Sequence, residues 1–463
     1  MADAIRSLAV APARELQLER RRQSRKGMRG DAPKHVALRP VITRIASAPA
    51  SLQSAQLARV ISDMHLTSSW YAFVPAMLGF SPPMDTAARA VIRAHSLARL
   101  PDHIAQPRSD SAYVAAIEAL RSNLDASDPS FVAVGLLGLY EIIRKEEPDA
   151  FFSHADGMSA IMRARSRNSP ASPIMRAAFY GNTFATFQQP LDKGVASIFD
   201  DPYWLGQEPI SREPLSTETA KLRKIGNQGL IRLPGLIAKT RTLRQQTDVG
   251  WPNAELLQSV VRLASRMDKE LQDGESENTL LHRVSVKPTL DPYDKQIVPF
   301  SFGIVTYHDK ETLLVYWGMR LMVLKICLLL DDMEKAQETP SEIASTSSET
   351  MTFRETWSKE QERCAVSIMM FWQDGYGQAN CFSMLWGSLM GKTKFRGKPI
   401  GPVRDWVRQR NEDALAGWCF EFTEVQLDIE ADQMAGGPLG DVPWRDTLVA
   451  AKTRRRAQSA SVG

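Results

Sequence analysis

Side chains able to do chemistry are few and scattered in this sequence. Asp331, Asp332 and Glu334 close an apolar run as LLLDDMEK, and acids at such a helix end could hold Mg²⁺ in an all-helical enzyme acting on a diphosphate. The third acid of that motif belongs three residues after the second, where Lys335 stands and would repel the cations, and no second metal motif follows. Residues 387–393 read GSLMGKT and suggest a phosphate loop. Wrapping phosphates with successive N–H groups takes four residues between the glycines, and here there are three. His154 lies on an apolar helical face with no Ser or Cys beside it, and no Gly-x-Ser-x-Gly elbow occurs, so it reads as a hydrogen-bonded core histidine. Cys327, Cys364, Cys381 and Cys419 are widely separated and flanked by apolar residues, which makes them reduced core thiols rather than ligands. No catalytic residue, metal ligand or cofactor is expected, and the Mg²⁺-dependent enzyme stands as a distant alternative.

Charge is unevenly placed. Residues 14–34 hold eight Lys or Arg against three Asp or Glu, so +5 of the net +4 sits there and the remainder of the chain sums to about −1. Within it, ERRRQSRKGMR at 19–29 offers Arg20, Arg21, Arg22, Arg25, Lys26 and Arg29 as a nuclear-import signal or as phosphate contacts. Such contacts to DNA would be salt-sensitive and without sequence preference.

The elements that must position these groups centre on residues 128–167. Asp128 suits an N-cap and Pro129 the first helical position. Val132, Gly135, Leu136, Leu139 and Ile143 recur at helical steps, and Phe131, Val134, Gly138 and Ile142 form a second apolar line, so this helix should be buried on most sides. Gly135 and Gly138 would let a neighbour come close. Glu141 and Lys145 could pair at i, i+4, and Pro148 should stop the helix. A second helix would turn Phe151, Ala155, Met158, Ile161 and Met162 inward, with Arg163, Arg165 and Arg167 near its C-terminal end.

Leu136, Leu137, Leu139, Tyr140 and Glu141, then His154, Gly157, Ile161 and Arg163, then Arg176 and Phe179, give an order and spacing that resembles the regulatory middle domain of fungal transcription factors. PYW at 202–204, LPGLI at 233–237 and PFSFGI at 299–304 extend the resemblance over most of 55–425. Phe151 and Phe152 stand where that family often has Trp, and Ala164 replaces its usual Gly. The family usually places a six-cysteine binuclear zinc cluster ahead of this domain, and no cysteine precedes Cys327 here. The resemblance implies a nuclear regulator of transcription, with a metabolic or secondary-metabolite gene set as its expected target, working through a transcription-factor or co-regulator partner. It leaves room for a small-molecule effector and a homodimer, with Tyr140, Glu141, His154, Gly157 and Arg163 in structural roles. The alternatives are a co-regulator with no DNA binding of its own and a zinc-cluster factor of which this chain is the body.

The expected fold is all-α: a single large irregular multi-helix array over 51–430, with a disordered basic arm at 1–50, an internal flexible loop at 338–350 and a flexible basic tail at 431–463. Helices are expected at 52–61, 86–100, 113–123, 254–271, 311–335, 354–376, 378–390 and 403–425, with a short one near 14–23 in the arm. Pro234 should break or kink the helical path through 214–247, and RVSV and IVPFSF within 272–310 are short extended candidates. The apolar run 313–330 contains Arg320 and Lys325, charges that are expensive in lipid, so a buried helix rather than a membrane span is expected.

Overall fold

The computed structural model describes residues 52–439, apart from breaks at 65, 67–69, 99–110, 145–147, 166–170, 182–183, 212–213, 250–252, 304–305, 337–348, 373–378 and 416–423. The expectations for the N-terminal arm, for most of the 338–350 loop and for the tail beyond 439 lie outside the described residues. The chain is all-α, as its periodicity requires, and it divides into two compact units: residues 1–185 with 210–213, and 186–209 with 214–463. The sequence carried no signal of that division.

The first unit contains α1 (Leu52–Asp63), a 3₁₀ helix (Trp70–Met77), α2 (Pro82–Ala98), α3 (Ser111–Ser122), α4 (Asp128–Arg144), α5 (Pro148–Ala164) and α6 (Pro173–Gly181). Helix α4 is its centre: every residue from Ser130 to Glu141 is buried, and α2, α3 and α5 pack around it. Burying its Phe, Val and Leu side chains stabilises the unit by roughly 2 kcal/mol each. Pro82 and Pro83 open α2 instead of preceding it, since a first helical turn has no use for their missing N–H. Asp128 is likewise not the N-cap of α4. Ser127 holds that place, its carbonyl accepting from the Phe131 N–H at 3.1 Å, and the Asp128 carboxylate in the first turn takes Arg165 at 2.8 Å and the Ser172 hydroxyl at 2.7 Å. One acid thereby ties the start of α4 to the end of α5 and the approach to α6. Pro148 opens α5, and along that helix Ala155, Met158, Ile161 and Met162 are buried as expected, while Phe152 rather than Phe151 is the buried phenylalanine.

In the second unit, α7 (Gln189–Lys193) and α8 (Pro202–Leu205) precede α9 (Thr217–Val249) and α10 (Ala254–Ser276). The two extended candidates form a hairpin, β1 (Ser285–Pro288) and β2 (Phe300–Gly303), with α11 (Pro292–Ile297) between them. Then come α12 (Tyr307–Lys335), α13 (Glu349–Trp372), α14 (Ala379–Leu389), a small ribbon of β3 (Lys394–Phe395) and β4 (Lys398–Pro399), α15 (Ile400–Leu415) and α16 (Glu424–Met434). Helix α12 starts at Tyr307, earlier than its apolar run, because the Thr306 hydroxyl caps it by accepting the Asp309 N–H at 3.1 Å. It is long and apolar enough to cross a membrane, and 78% of its most apolar window is buried inside the protein, with α9, α10, α13 and α14 around it.

Two expectations fail in this unit. Helix α9 runs through Pro234 without a break, because Leu230, Ile231 and Leu233 before it and Leu236 and Ile237 after it are buried in one core. That shared burial outweighs the lost backbone hydrogen bond. Residues 431–439 were assigned to a flexible tail, yet α16 buries Leu427, Ala431 and Met434, and the chain past it is clamped to α9. There Arg241 Nε donates to the Gly437 carbonyl at 2.6 Å and Arg244 Nη1 to Asp432 at 2.9 Å. Gly436, at φ +78°, lies so close to α9 that an added Cβ would sit 2.8 Å from Thr240 Cγ2.

The α4 glycines serve close approach of a different kind. A Cβ on Gly135 would lie 2.4 Å from the Trp70 ring. G135A gains roughly 1 kcal/mol of helix propensity, but forcing aside a rigid buried indole costs about 2–3 kcal/mol. The substitution should therefore lower the stability of the chain in urea unfolding by about 1–2 kcal/mol.

Candidate functional site

The residues singled out by spacing on α4 and α5 meet in one place. Tyr140 and Glu141 are neighbours on α4 and leave it about 100° apart. Tyr140 stacks on Tyr113 of α3, with ring centroids 4.4 Å apart, while Glu141 faces α5, its Oε1 at 4.0 Å from His154 Nε2. His154 Nε2 is also 3.1 Å from the Tyr113 hydroxyl. Gly157 marks the tight approach between the helices, where an added Cβ would meet Val134 Cγ1 at 3.2 Å, while a Cβ on Gly138 would make ordinary contact with His154 Cβ at 3.5 Å. Thus Tyr140, Glu141 and His154 converge with Tyr113, whereas Gly157 lies against Val134 and Arg163 is exposed at the end of α5. The spacing offers Glu141 to Lys145 as an i, i+4 pair. Glu141 is buried against His154 instead, and Lys145 is outside the described residues.

Burial pushes the His154 imidazole down to about 4, and the Glu141 carboxylate, beyond hydrogen-bond reach, does not offset this. The ring is therefore neutral at physiological pH. A buried neutral imidazole held by a phenol links α3, α4 and α5 at this point. Tyr113 is the partner that spacing did not reveal. It lies on a separate amphipathic helix, and only the fold brings it to the motif.

The second unit contains a cluster of buried charges. Arg320, 2% exposed on α12, donates Nη1 to Glu275 on α10, lies 3.0 Å from Glu360 on α13 through Nη2, and has Nε at 3.7 Å from Asp268. Arg363 grips both oxygens of Glu275 at 2.8 and 2.7 Å, and the Tyr316 hydroxyl donates to the Leu271 carbonyl at 2.7 Å and approaches Glu275 at 3.1 Å. Burial alone would raise Glu275, but the hydrogen bonds and charge of Arg363, with Arg320, hold it below the usual carboxylate range. Asp268 is raised by burial, which Arg320 only partly opposes. Cys364 is pushed up to about 12 by burial and Cys327 further still, so both free thiols remain protonated, as core cysteines should. The side chain of Cys381 and the whole of Cys419 lie outside the described residues. Sequence reasoning marked Arg320 only as an interruption. Asp268 and Glu275, two helical turns apart on one face of α10, were the signal of what answers it.

The remaining motifs are occupied by ordinary packing. Asp331 accepts Lys335 at 2.8 Å and Arg354 at 2.6 Å, and Arg354 also reaches Asp332. The carboxylates that could have held a cation are therefore bound to cationic side chains, and among the described residues no group of three or more His, Cys, Asp or Glu is placed to hold a metal ion. In 387–393, Gly387 lies within α14 against Ala431 of α16, and Gly391, at φ +72°, turns the chain after the helix ends. A helix end with carbonyls forward is the wrong polarity for phosphate. Arg20, Arg21, Arg22, Arg25, Lys26 and Arg29 lie outside the described residues.

The fold and these clusters define an all-helical protein whose buried polar groups hold helices in place. Compared with family models, curated proteins and solved structures, the chain finds no match in any of the three.

The His154 environment makes stability depend on pH. The unfolded imidazole titrates near 6.5 and the folded one at about 4, so the unfolded state binds the proton first as pH falls. The contribution is fully present above about pH 6.5 and is lost on descending toward about pH 4, roughly 3 kcal/mol in all. Thermal unfolding followed between pH 7 and 4 should show this loss, and H154Q should flatten that part of the profile even though it lowers the baseline.

Removing the buried guanidinium tests the other cluster. R320M leaves the buried Asp268 without its cation, while Glu275 and Glu360 keep Arg363, and it should cost about 3–5 kcal/mol in urea unfolding. R320K keeps the charge but not the fork, and should fall between wild type and R320M.

Proposed function

We propose that the protein is a regulator of transcription of the fungal-specific transcription factor type, acting in the nucleus through its helical body on a partner factor or co-regulator. The observation that supports this reading most is the motif of α4 and α5. Among the residues picked out by their likeness to that regulatory domain, Tyr140 and His154 both meet Tyr113 and Glu141 lies against His154, a buried contact of the kind a shared helical-hairpin signature should encode. The basic stretch with Arg20, Arg21, Arg22, Arg25 and Lys26 supplies the import signal and, at most, accessory contacts to DNA phosphates. Specificity for target genes then comes from the partner, because a solvated basic stretch cannot read base edges. The Mg²⁺-dependent alternative is weakened by the Arg354 and Lys335 pairs on Asp331 and Asp332.

Two readouts test the proposal. A fluorescently tagged chain should accumulate in fungal nuclei and lose that accumulation when Arg20, Arg21, Arg22, Arg25 and Lys26 are all changed to Ala. Residues 52–439 joined to a heterologous DNA-binding domain should change the output of a tethered reporter several-fold in either direction. Retained nuclear signal in the five-fold variant would remove the import assignment, and an unresponsive reporter would remove the regulatory one.

A further inference from the structure

We infer that the open edge of strand β1 is a docking site for an extended protein segment in which apolar and acidic residues alternate. The surface is argued from its own residues and does not depend on the regulatory reading.

The hairpin is asymmetric. Strand β2 packs against α13, and Phe302 carries it into the core, with its ring centroid 4.9 Å from that of Phe371 and 6.0 Å from that of Trp317. Strand β1 is exposed at all four positions and, among the described residues, pairs only with β2. Its backbone polarity follows from the register. The Thr289 N–H donates to the Pro299 carbonyl at 3.0 Å, so 289 and 299 are a hydrogen-bonded pair. Alternation makes 287 with 301 and 285 with 303 the next such pairs. Val286 and Pro288 therefore turn their backbone groups outward, and Val286 offers both an N–H and a C=O to an added strand.

The two faces of β1 differ chemically. On one, Val286, 59% exposed, and Pro288 lie with Phe300, 49% exposed, in an apolar surface that continues inward to Phe302. Leu290, 95% exposed, and Tyr293 extend the exposed apolar residues along the connection to β2. On the other face Lys287 lies across Gly303, close enough that a Cβ there would sit 3.1 Å from its Nζ. Arg283 precedes the strand and Lys295 follows it, both exposed. Asp291, the one exposed acid between Arg283 and Phe300, has its Oδ1 engaged by the Tyr293 and Asp294 N–H groups at the start of α11. A strand added at this edge turns successive side chains to opposite faces. Those on one side meet Val286 and Phe300 and must be apolar, and those on the other meet Lys287 and are best acidic. Pro288 lacks an N–H, which limits pairing to a short segment and leaves discrimination to side chains.

The test uses the full chain and a labelled synthetic peptide of alternating Asp and Val, read by fluorescence anisotropy. Controls are a peptide of the same composition with its Asp and Val in two blocks, an alternating Lys and Val peptide, and phosphatidylcholine vesicles containing about 30% phosphatidylserine. Saturable binding of the alternating Asp peptide is expected, at least about tenfold tighter than binding of the blocked peptide. V286P removes the outward N–H while leaving the hairpin ladder intact, and should weaken binding about tenfold with an unchanged circular dichroism spectrum. K287E should lose the Asp peptide and gain the Lys peptide, a swap that unfolding cannot imitate. Absent saturable binding, indifference to alternation, wild-type affinity in V286P or stronger binding to the vesicles would each overturn the inference. A concentration-dependent dimer abolished by V286P would assign the edge to a second copy and overturn it as well.

Discussion

The guanidinium of Arg320 is the constraint around which the second unit is built. A cation buried at the middle of an apolar helix loses its hydration, and several kcal/mol of that cost persists unless carboxylates are brought to it. They come from α10, with Asp268 and Glu275, and from α13, with Glu360. Apolar packing alone lets neighbouring helices slide along α12 by a turn at modest cost, since Leu, Met and Val are nearly interchangeable as contacts. The fork of Arg320 does not permit sliding. Arg363 and Tyr316, closing on the same Glu275, make the register of the three helices a matter of a few hydrogen bonds rather than of average hydrophobicity.

The first unit solves the same problem with little charge. Glycines at 135 and 157 let Trp70 and the α4–α5 pair approach closely, and the contact between Tyr113, Glu141 and His154 marks the position at which they stop. Asp128 then fixes the far end through Arg165 and Ser172. Close backbone approach gives attraction without direction, and the polar contacts supply the direction.

Most of the helical architecture was legible from apolar spacing, because each helix buries one face and that face repeats every three or four residues. The extended pair within 272–310 was legible too, from short runs rich in Val and Phe. What escaped was decided by partners remote in sequence. Pro234 reads locally as a breaker, and only a core shared by both halves of α9 keeps that helix whole. Glu141 and Arg320 read as surface charge and interruption until His154, Glu275 and Glu360 are placed beside them. Residues from 431 on read as a tail, although Leu427, Ala431 and Met434, at steps of four and three, already marked a buried stripe. At the motif, Tyr140, Glu141 and His154 lie together, while Tyr113 could not have been found without the fold.

The clamp between Arg241 and the Gly437 carbonyl joins residues 196 positions apart. Its consequence concerns synthesis. The first unit is complete once residue 213 has emerged from the ribosome, whereas α9 must wait for more than half of the second unit's chain before its last partner exists. At about 5–20 residues per second that interval is on the order of ten to forty seconds, during which the apolar faces of α9 and α12 lack part of their cover. Synthesis therefore supplies the second unit's last partner well after the first unit's chain is complete.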